Sequence, residues 1–256
     1  MKTLSDLAIV LCGGEGKRLR PLTYYIPKPM IPVGSSQKPL LEYIVRHLAY
    51  YGIDDIIFLV DYKAEQITNY FEDGARFGVK IRYLKDDPQY KGTAGAVYNA
   101  YLKGLLDREH ILIYYGDILS DINLRDLVNH HIKTGADATL ALSPNYTLKV
   151  GVAELDGTKI RKLVEKPPLE KPVTMAILMI KSEVIPHVGD ILREKEEADI
   201  MGDLIPRLID MGRVEGYLTD AFWYDVGSLE TYEKLNPELV DEIFSYLKVK
   251  KTQIIS

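Results

Sequence analysis

Residues 7–32 read LAIVLCGGEGKRLRPLTYYIPKPMIP. The first five, Leu7–Leu11, form a continuous apolar run that stops just before Gly13-Gly14. A short run bounded by glycine is the pattern of a strand buried on both faces, as in a parallel sheet whose crossover helices cover both sides. Three glycines, Gly13, Gly14 and Gly16, follow the strand directly. They let the backbone pass close to a ligand, and their N–H groups can cradle phosphate oxygens. Arg18 and Lys28 then sit in a loop carrying Pro21, Pro27, Pro29 and Pro32. Proline fixes φ, so the loop is pinned and two cations are held over whatever the glycines cradle. Taken alone, GGxG reads equally as a glycine turn with solvated cations. Its spacing is not GxGxxG and no helix opens on it, which disfavours a dinucleotide site, and it lacks the G-K-[ST] ending of a P-loop.

Working outward, helical and strand patterns alternate. Leu41, Ile44, Val45 and Leu48 share one helical face, with Gly52 as a stop. Residues 56–60 predict a strand, and Ile67, Tyr70 and Phe71 mark a helix ending near Gly74. Residues 80–84 alternate, 93–105 are helical, and 111–115 form a strand ending in Gly116-Asp117. Strand and helix alternating at this spacing predict βαβ units and a parallel sheet. The second half is less regular. Residues 150–155 and 159–164 flank Asp156-Gly157, a hairpin signal. A strand over 173–180, a helix over 203–211 closed by Gly212, and two strands within 214–226 around Thr219-Asp220 follow, then two helical patterns. The expectation is one α/β domain over residues 1–256: a Rossmann-like, mostly parallel sheet with flanking helices and a smaller, more antiparallel second half beginning near Pro144-Asn145.

Composition narrows the class. With 256 residues, 46% of them hydrophobic, the chain has enough apolar surface for a packed core. No apolar run approaches the roughly 18 residues that cross a bilayer, so no membrane is expected. The N-terminal apolar stretch runs into the glycine loop and reads as a first strand rather than a signal peptide. One cysteine forms no internal disulfide, which suggests a reducing cytoplasm. Thirty-two basic against 37 acidic residues, a net charge of −5, argue against a nucleic-acid partner.

The stretch GGEGKRLRPLTYYIPKPM resembles the signature of the sugar-nucleotide pyrophosphorylases, nucleotidyltransferases acting on sugar 1-phosphates. Further segments are similar in order and spacing: PLLEYIV at 39–45, GTAGAV at 92–97, GD at 116–117, VEKP at 164–167 and WYDVGSLETY at 223–232. The resemblance implies transfer of a nucleoside monophosphate from a nucleoside triphosphate to a hexose 1-phosphate, with Mg2+ as cofactor. It implies a nucleotide half over about residues 1–145 and a sugar half over about 146–235, without the β-helix of longer relatives. A homo-oligomer is compatible with it.

The resemblance also assigns residues. Arg18 and Lys28 become the catalytic cations, and Gly13, Gly14 and Gly16 the phosphate loop. Asp117 and Asp225 become the metal ligands, although each also reads as a turn aspartate. Glu165 takes the sugar hydroxyls, Lys166 the sugar phosphate, and Gly151 lets the backbone approach the sugar. Gly92 and Thr93 match a nucleoside-binding turn in which Gly92 admits the base; Thr93 reads equally as a helix cap. Asp87, five residues before Gly92, stands where relatives read the base. A carboxylate there accepts from the adjacent N1–H and N2–H2 of guanine, which favours GTP with mannose 1-phosphate over dTTP or UTP with glucose 1-phosphate. Asp86-Asp87-Pro88 also reads as a solvated turn with base choice left to the backbone, and Gln89 stands close enough to take the role. One departure concerns Thr174-Met175-Ala176, where many relatives carry Asn-Ala-Gly.

Other features read as structural. His130-His131 point about 100° apart on a helix, so a solvated helix face is expected rather than a shared metal. Lys248, Lys250 and Lys251 read as a solvated tail. Cys12 reads as a packed small residue. The competing functions are a catalytically silent regulatory subunit, opposed by the presence of Arg18, Lys28, Asp117, Lys166 and Asp225 together, and a generic nucleotide-binding module, opposed by VEKP.

Overall fold

Leu7, Ala8, Ile9 and Val10 have no solvent exposure, because the strand they form, β1 (Leu7–Leu11), is enclosed on all sides. The computed structural model describes residues 7–247. Around β1 stand β2 (Asp55–Val60), β3 (Lys80–Lys85), β4 (His110–Tyr115), β5 (Ala138–Ser143), β6 (Val173–Lys181) and β7 (Val214–Leu218). They form a seven-stranded sheet in the order β7-β5-β6-β4-β1-β2-β3. Only β6 runs against the rest, pairing antiparallel with β4 and β5. β7 is parallel to β5, and β3, β2, β1 and β4 are mutually parallel.

Helices α1 (Leu40–Tyr50), α2 (Ala64–Phe71), α3 (Gly92–Leu102), α4 (Leu124–Thr134), α5 (His187–Glu194) and α6 (Ile205–Asp210) cover the two faces. Side chains alternate across β1. Ala8 and Val10 join the layer of Leu41, Ile44 and Leu48 from α1, Phe71 from α2 and Leu127 from α4. Leu7 and Ile9 join Ala94, Val97 and Ala100 from α3, Val188 from α5 and Leu208 from α6. Two further helices, α7 (Leu229–Glu233) and α8 (Pro237–Ile243), follow the sheet. No helix among the described residues is long and apolar enough to cross a membrane.

The chain turns from β1 toward β2 and β3 on one side, then returns to place β4 on the other. In open α/β sheets that reversal leaves a crevice at the carboxyl ends of the central strands, where ligands bind. The glycine loop leaves β1 and Gly116-Asp117 leaves β4 at this crevice. Gly116 N–H donates to Leu11 O at 3.0 Å, and a Cβ on Gly116 would lie 2.6 Å from that oxygen. Glycine is required for the two strand ends to approach.

The second half is antiparallel in a narrower sense than its patterns predict. β5, from the first half, and β7, from the second, both lie in the main sheet in parallel register, so one sheet draws on both halves. Antiparallel pairing is confined to β6 and to small ribbons. The largest ribbon is the hairpin of Gly151–Asp156 with Lys159–Glu165. It stands proud of the sheet, with Leu155, Ile160 and Leu163 all more than 60% exposed. The two strands predicted within 214–226 do not pair with each other: β7 edges the main sheet, while Trp223–Asp225 pairs antiparallel with Ile118–Ser120. At Thr174–Leu178 the β6 register slips. There Ala176 adopts φ +57, a left-handed conformation that costs an L-residue about 1–2 kcal/mol.

Three other expectations need correction. The helix predicted over 93–105 ends at Leu102, because Gly104 turns the chain with φ +67. The helix predicted over 203–211 is present as α6 but starts earlier, through a wide π-type turn over Ile200–Leu204. His131 is not on a solvated face: α4 packs it against the sheet, fully buried, with Nδ1 at 2.8 Å from Thr139 Oγ1. Cys12 is buried as expected; burial, with Asp117 and Asp86 nearby, pushes its thiol up, so it packs as a neutral group. The three C-terminal lysines lie outside the described residues.

Candidate active site

A cavity of about 580 Å3 opens at the carboxyl ends of β1 and β4. Its walls include Gly13, Gly14, Gly16, Arg18, Lys28, Gly92, Thr93 and Asp117. Residues as far apart in sequence as Gly13 and Gly227 thus converge on one space. Gly14 faces open space and Gly16 has φ +62. Gly16 starts the tight turn Lys17–Leu19 that carries Arg18, and its carbonyl accepts from Thr23 Oγ1 at 2.9 Å. Tyr62 OH donates to Thr23 O at 2.6 Å. The proline-rich loop is therefore tied down at its centre as well as at its prolines.

Lys28 forms an ion pair with Asp117, and its side chain is only 12% exposed. Asp225 reaches the same place by a different route. The antiparallel ribbon sets Asp225 opposite Ile118, and Val226 N–H donates to Asp117 O at 3.1 Å. Partial burial and the neighbouring Asp117 charge hold the Asp225 carboxyl above its ordinary range, opposed by Lys28, Arg18 and Lys149. Two carboxylates thus stand side by side with their repulsion only partly relieved, which is the setting a hard divalent cation stabilises. No cluster of three or more His, Cys, Asp or Glu among the described residues could enclose an ion. Asp117 and Asp225 could supply two carboxylate ligands to a divalent cation that takes its other ligands from water and substrate.

The residues expected to read the base are placed differently from their sequence reading. Asp87 does not line the cavity; its carboxylate accepts from Gln89 N at 2.9 Å and closes its own turn. Asp86 does line it, at the end of β3. A Cβ on Gly13 would lie 2.4 Å from Asp86 Oδ2, so glycine at 13 makes room for this carboxylate. Asp86 Oδ1 is buried without a hydrogen-bond partner among the described residues. Burial and the nearby Asp61 push the Asp86 carboxyl up to about 6. Gly92 has φ +83, and a Cβ there would lie 2.3 Å from Ala198 O. Its small size serves the packing of residue 198 against it. Thr93 does not cap α3; its hydroxyl donates to Asp199 Oδ1 at 3.0 Å and accepts from Ile200 N at 2.9 Å.

Gly151, Glu165 and Lys166 lie together on the exposed hairpin, outside the walls of this cavity. Gly151 pairs with Glu165 across the ribbon, and a Cβ on Gly151 would lie 2.9 Å from Glu165 Oε2. Lys166 has φ +49, with its N–H on Val150 O at 3.2 Å. Lys149, just before the hairpin, contributes to the field at Asp225. Asp86, Tyr115 and Asp199 line the cavity but gave no signal in the sequence. Asp86 looks like half of a solvated DDP turn, and Asp199 lies in the charge-rich run 194–199.

Comparison with known proteins identifies the family. The sequence profile of the nucleotidyl transferase family matches residues 7–242. The chain is 34% identical over 239 residues to a UTP–glucose-1-phosphate uridylyltransferase of Synechocystis sp., covering 88% of this chain and 61% of the relative. It is 32% identical over 235 residues to a D-glycero-alpha-D-manno-heptose 1-phosphate guanylyltransferase of Aneurinibacillus thermoaerophilus, covering 91% of this chain and 97% of the relative. It thus spans less than two thirds of the first relative's length and nearly all of the second's. A Bacillus anthracis crystal structure, described as a 'putative glucose-1-phosphate thymidylyltransferase' with sucrose, superposes with a TM-score of 0.74 at 21% identity, over 94% of this chain and 99% of that one. A profile match from the first described strand to α8, with two relatives above 30% identity, makes this chain a member of the nucleotidyl transferase family.

Proposed function

We propose that the protein transfers a nucleoside monophosphate from a nucleoside triphosphate to a hexose 1-phosphate and releases pyrophosphate. The observation that carries this reading is the meeting of the glycine loop, Arg18, Lys28 and Asp117 in one crevice, with Asp225 adjoining. The sugar phosphate is already anionic near neutral pH, so no general base is required. Its oxygen attacks the α-phosphorus; the bond from that phosphorus to the bridging oxygen breaks, and the electron pair leaves with pyrophosphate. Backbone N–H groups of the glycine loop hold the phosphates, and Arg18 and Lys28 oppose the charge that builds on the departing group. Positioning and charge stabilisation are the main work of such a transfer. Asp117 and Asp225 would hold Mg2+, which when bound supplies charge neutralisation to the phosphates. The sugar phosphate approaches from the hairpin side, with Lys166 for its phosphate, Glu165 for its hydroxyls and Gly151 beside them.

Base choice falls to Asp86 in place of Asp87. An acceptor-only carboxylate with an unpartnered oxygen complements the adjacent N1–H and N2–H2 of guanine. Uracil or thymine would set carbonyl oxygens against it. This favours GTP with mannose 1-phosphate. We place the reaction in the cytoplasm, consistent with a free, buried thiol at Cys12. The test is a matrix of GTP, UTP, dTTP and ATP against hexose 1-phosphates with magnesium, scored by pyrophosphate release. Folded protein that releases none in any combination would overturn the reading.

A further inference from the structure

The N-terminus of α3 faces the cavity, and such helix ends bind phosphate when their N–H groups are free. Here three of them are taken. Ala94 N and Gly95 N donate to Ala198 O at 2.9 and 3.1 Å, and Thr93 N donates to Asp199 Oδ1 at 3.2 Å. The same Asp199 oxygen takes the Thr93 hydroxyl at 3.0 Å. Tyr115, the last residue of β4, is hydrogen-bonded to Thr93 in turn. The segment that supplies these acceptors is itself anchored. Ala198 N–H donates to Lys91 O at 3.0 Å, and Asp199 N–H donates to Asp203 Oδ2 at 2.9 Å. Asp203 is ion-paired with Lys195.

Two consequences follow. Three donors that would draw a triphosphate toward α3 are taken by protein, and a carboxylate lies beside them where an anion would otherwise sit. Charge therefore steers the phosphates toward Arg18 and Lys28, and leaves the α3 end to the uncharged nucleoside. Secondly, the Gly92–Thr93 turn has no packing freedom of its own: Gly92 rests on Ala198, and Thr93 is held through Asp199.

We infer that Asp199 is a positioning residue for the nucleotide: it holds the Gly92–Thr93 turn in place through Thr93 and denies the α3 N-terminus to phosphate. This rests on the proposed function, since it takes the cavity to be the nucleotide site. Asp199 touches no reacting atom in this account, so its loss affects triphosphate binding and leaves the sugar phosphate untouched.

The test measures binding and turnover separately. GTP and UTP are titrated calorimetrically into wild type, Asp199→Ala and Asp199→Asn, and KM for each substrate is then measured in the pyrophosphate assay. The expected result is about a tenfold weaker Kd and higher KM for triphosphate in Asp199→Ala, from two lost hydrogen bonds. KM for hexose 1-phosphate stays within about twofold, because the subsites are separate. Asp199→Asn recovers most of the affinity, since its amide oxygen accepts the same two bonds. If Asp199→Ala does not fold, Thr93→Val removes the hydroxyl link from the other side and is expected to show the same split. The inference is overturned if the variants bind triphosphate like wild type, if both KM values rise together, or if Asn is as impaired as Ala. Wild type that binds triphosphate but releases no pyrophosphate refutes the activity alone. Wild type that binds neither GTP nor UTP refutes both.

Discussion

Replacing Asp86 by Asn separates the two things this carboxylate does. Its burial raises the pKa from 3.8 to about 6. A carboxyl with a raised folded pKa binds protons more readily in the native state, so stability is lost as pH rises from about 4 to about 6. Two pKa units correspond to a ceiling of about 3 kcal/mol; partial exposure and solvent screening reduce that to roughly 1 kcal/mol. Asp86→Asn removes this charge cost, and the protein is expected to be about 1 kcal/mol more stable at pH 7.5, read as a higher denaturant midpoint with unchanged slope. Function moves the other way. An amide offers guanine one acceptor in place of two and sets an NH2 against a donor. Losing a hydrogen bond to a charged group costs about 1.5–3 kcal/mol, or roughly 10- to 150-fold in kcat/KM for GTP. UTP gains, because uracil accepts from the new amide. The pH profile adds a signature: kcat/KM for GTP declines below about pH 6 in wild type as Asp86 is protonated, and that limb disappears in Asp86→Asn. Asp87→Asn is the control, with less than about twofold effect, since Asn closes the same turn. A GTP/UTP ratio unchanged in Asp86→Asn, or shifted instead by Asp87→Asn, would refute the assignment.

Arg18→Ala and Lys28→Ala should each lower kcat by about 100-fold or more while the protein stays folded, on the scale of one lost electrostatic stabiliser; near-normal turnover in both would show that the phosphates lie elsewhere. Asp225→Asn relieves the repulsion from Asp117, so we expect unchanged or slightly higher thermal stability together with loss of Mn2+ binding followed by electron paramagnetic resonance. Retained Mn2+ affinity in both Asp225→Asn and Asp117→Asn would remove the carboxylate pair as the metal site. His47 is held at about 4 by burial, with Nε2 at 2.9 Å from Ile122 O and Nδ1 at 2.7 Å from Tyr246 OH. Since its folded pKa lies below the unfolded 6.5, stability is present above pH 6.5 and is lost as pH falls toward 4, by about 2 kcal/mol between pH 7 and pH 5. His131, lowered to about 4 by burial and by the nearby His110 and Lys181 charges, acts in the same sense. Urea midpoints that do not fall over that range would contradict this.

Local pattern alone was enough for β1, the parallel sheet and the glycine loop. A five-residue apolar run ending in glycines has few other folded solutions, and strand–helix alternation leaves little choice of sheet type. Asp117 was legible because it follows the end of β4, where open sheets place ligands, and Arg18 and Lys28 because they lie within the family signature that follows the glycine loop. The assignments that needed tertiary structure all depend on which backbone lies opposite. Whether Asp86 or Asp87 faces the cavity is a matter of one residue at the end of β3, where a single step of the pleat exchanges inside for outside. Gly92 is glycine because Ala198 packs against it, and Thr93 is occupied by Asp199; both partners come from a charge-rich run more than 100 positions away that local pattern reads as solvated surface. The burial of His131 likewise follows from α4 packing against the sheet, not from its neighbours in sequence. Sequence by itself determined the elements and the chemistry gathered at their ends, because those follow from periodicity and backbone geometry over a few residues. Only the tertiary structure decided which carboxylates and hydroxyls face the ligand and which brace one another, because that depends on contacts between segments with no local relation.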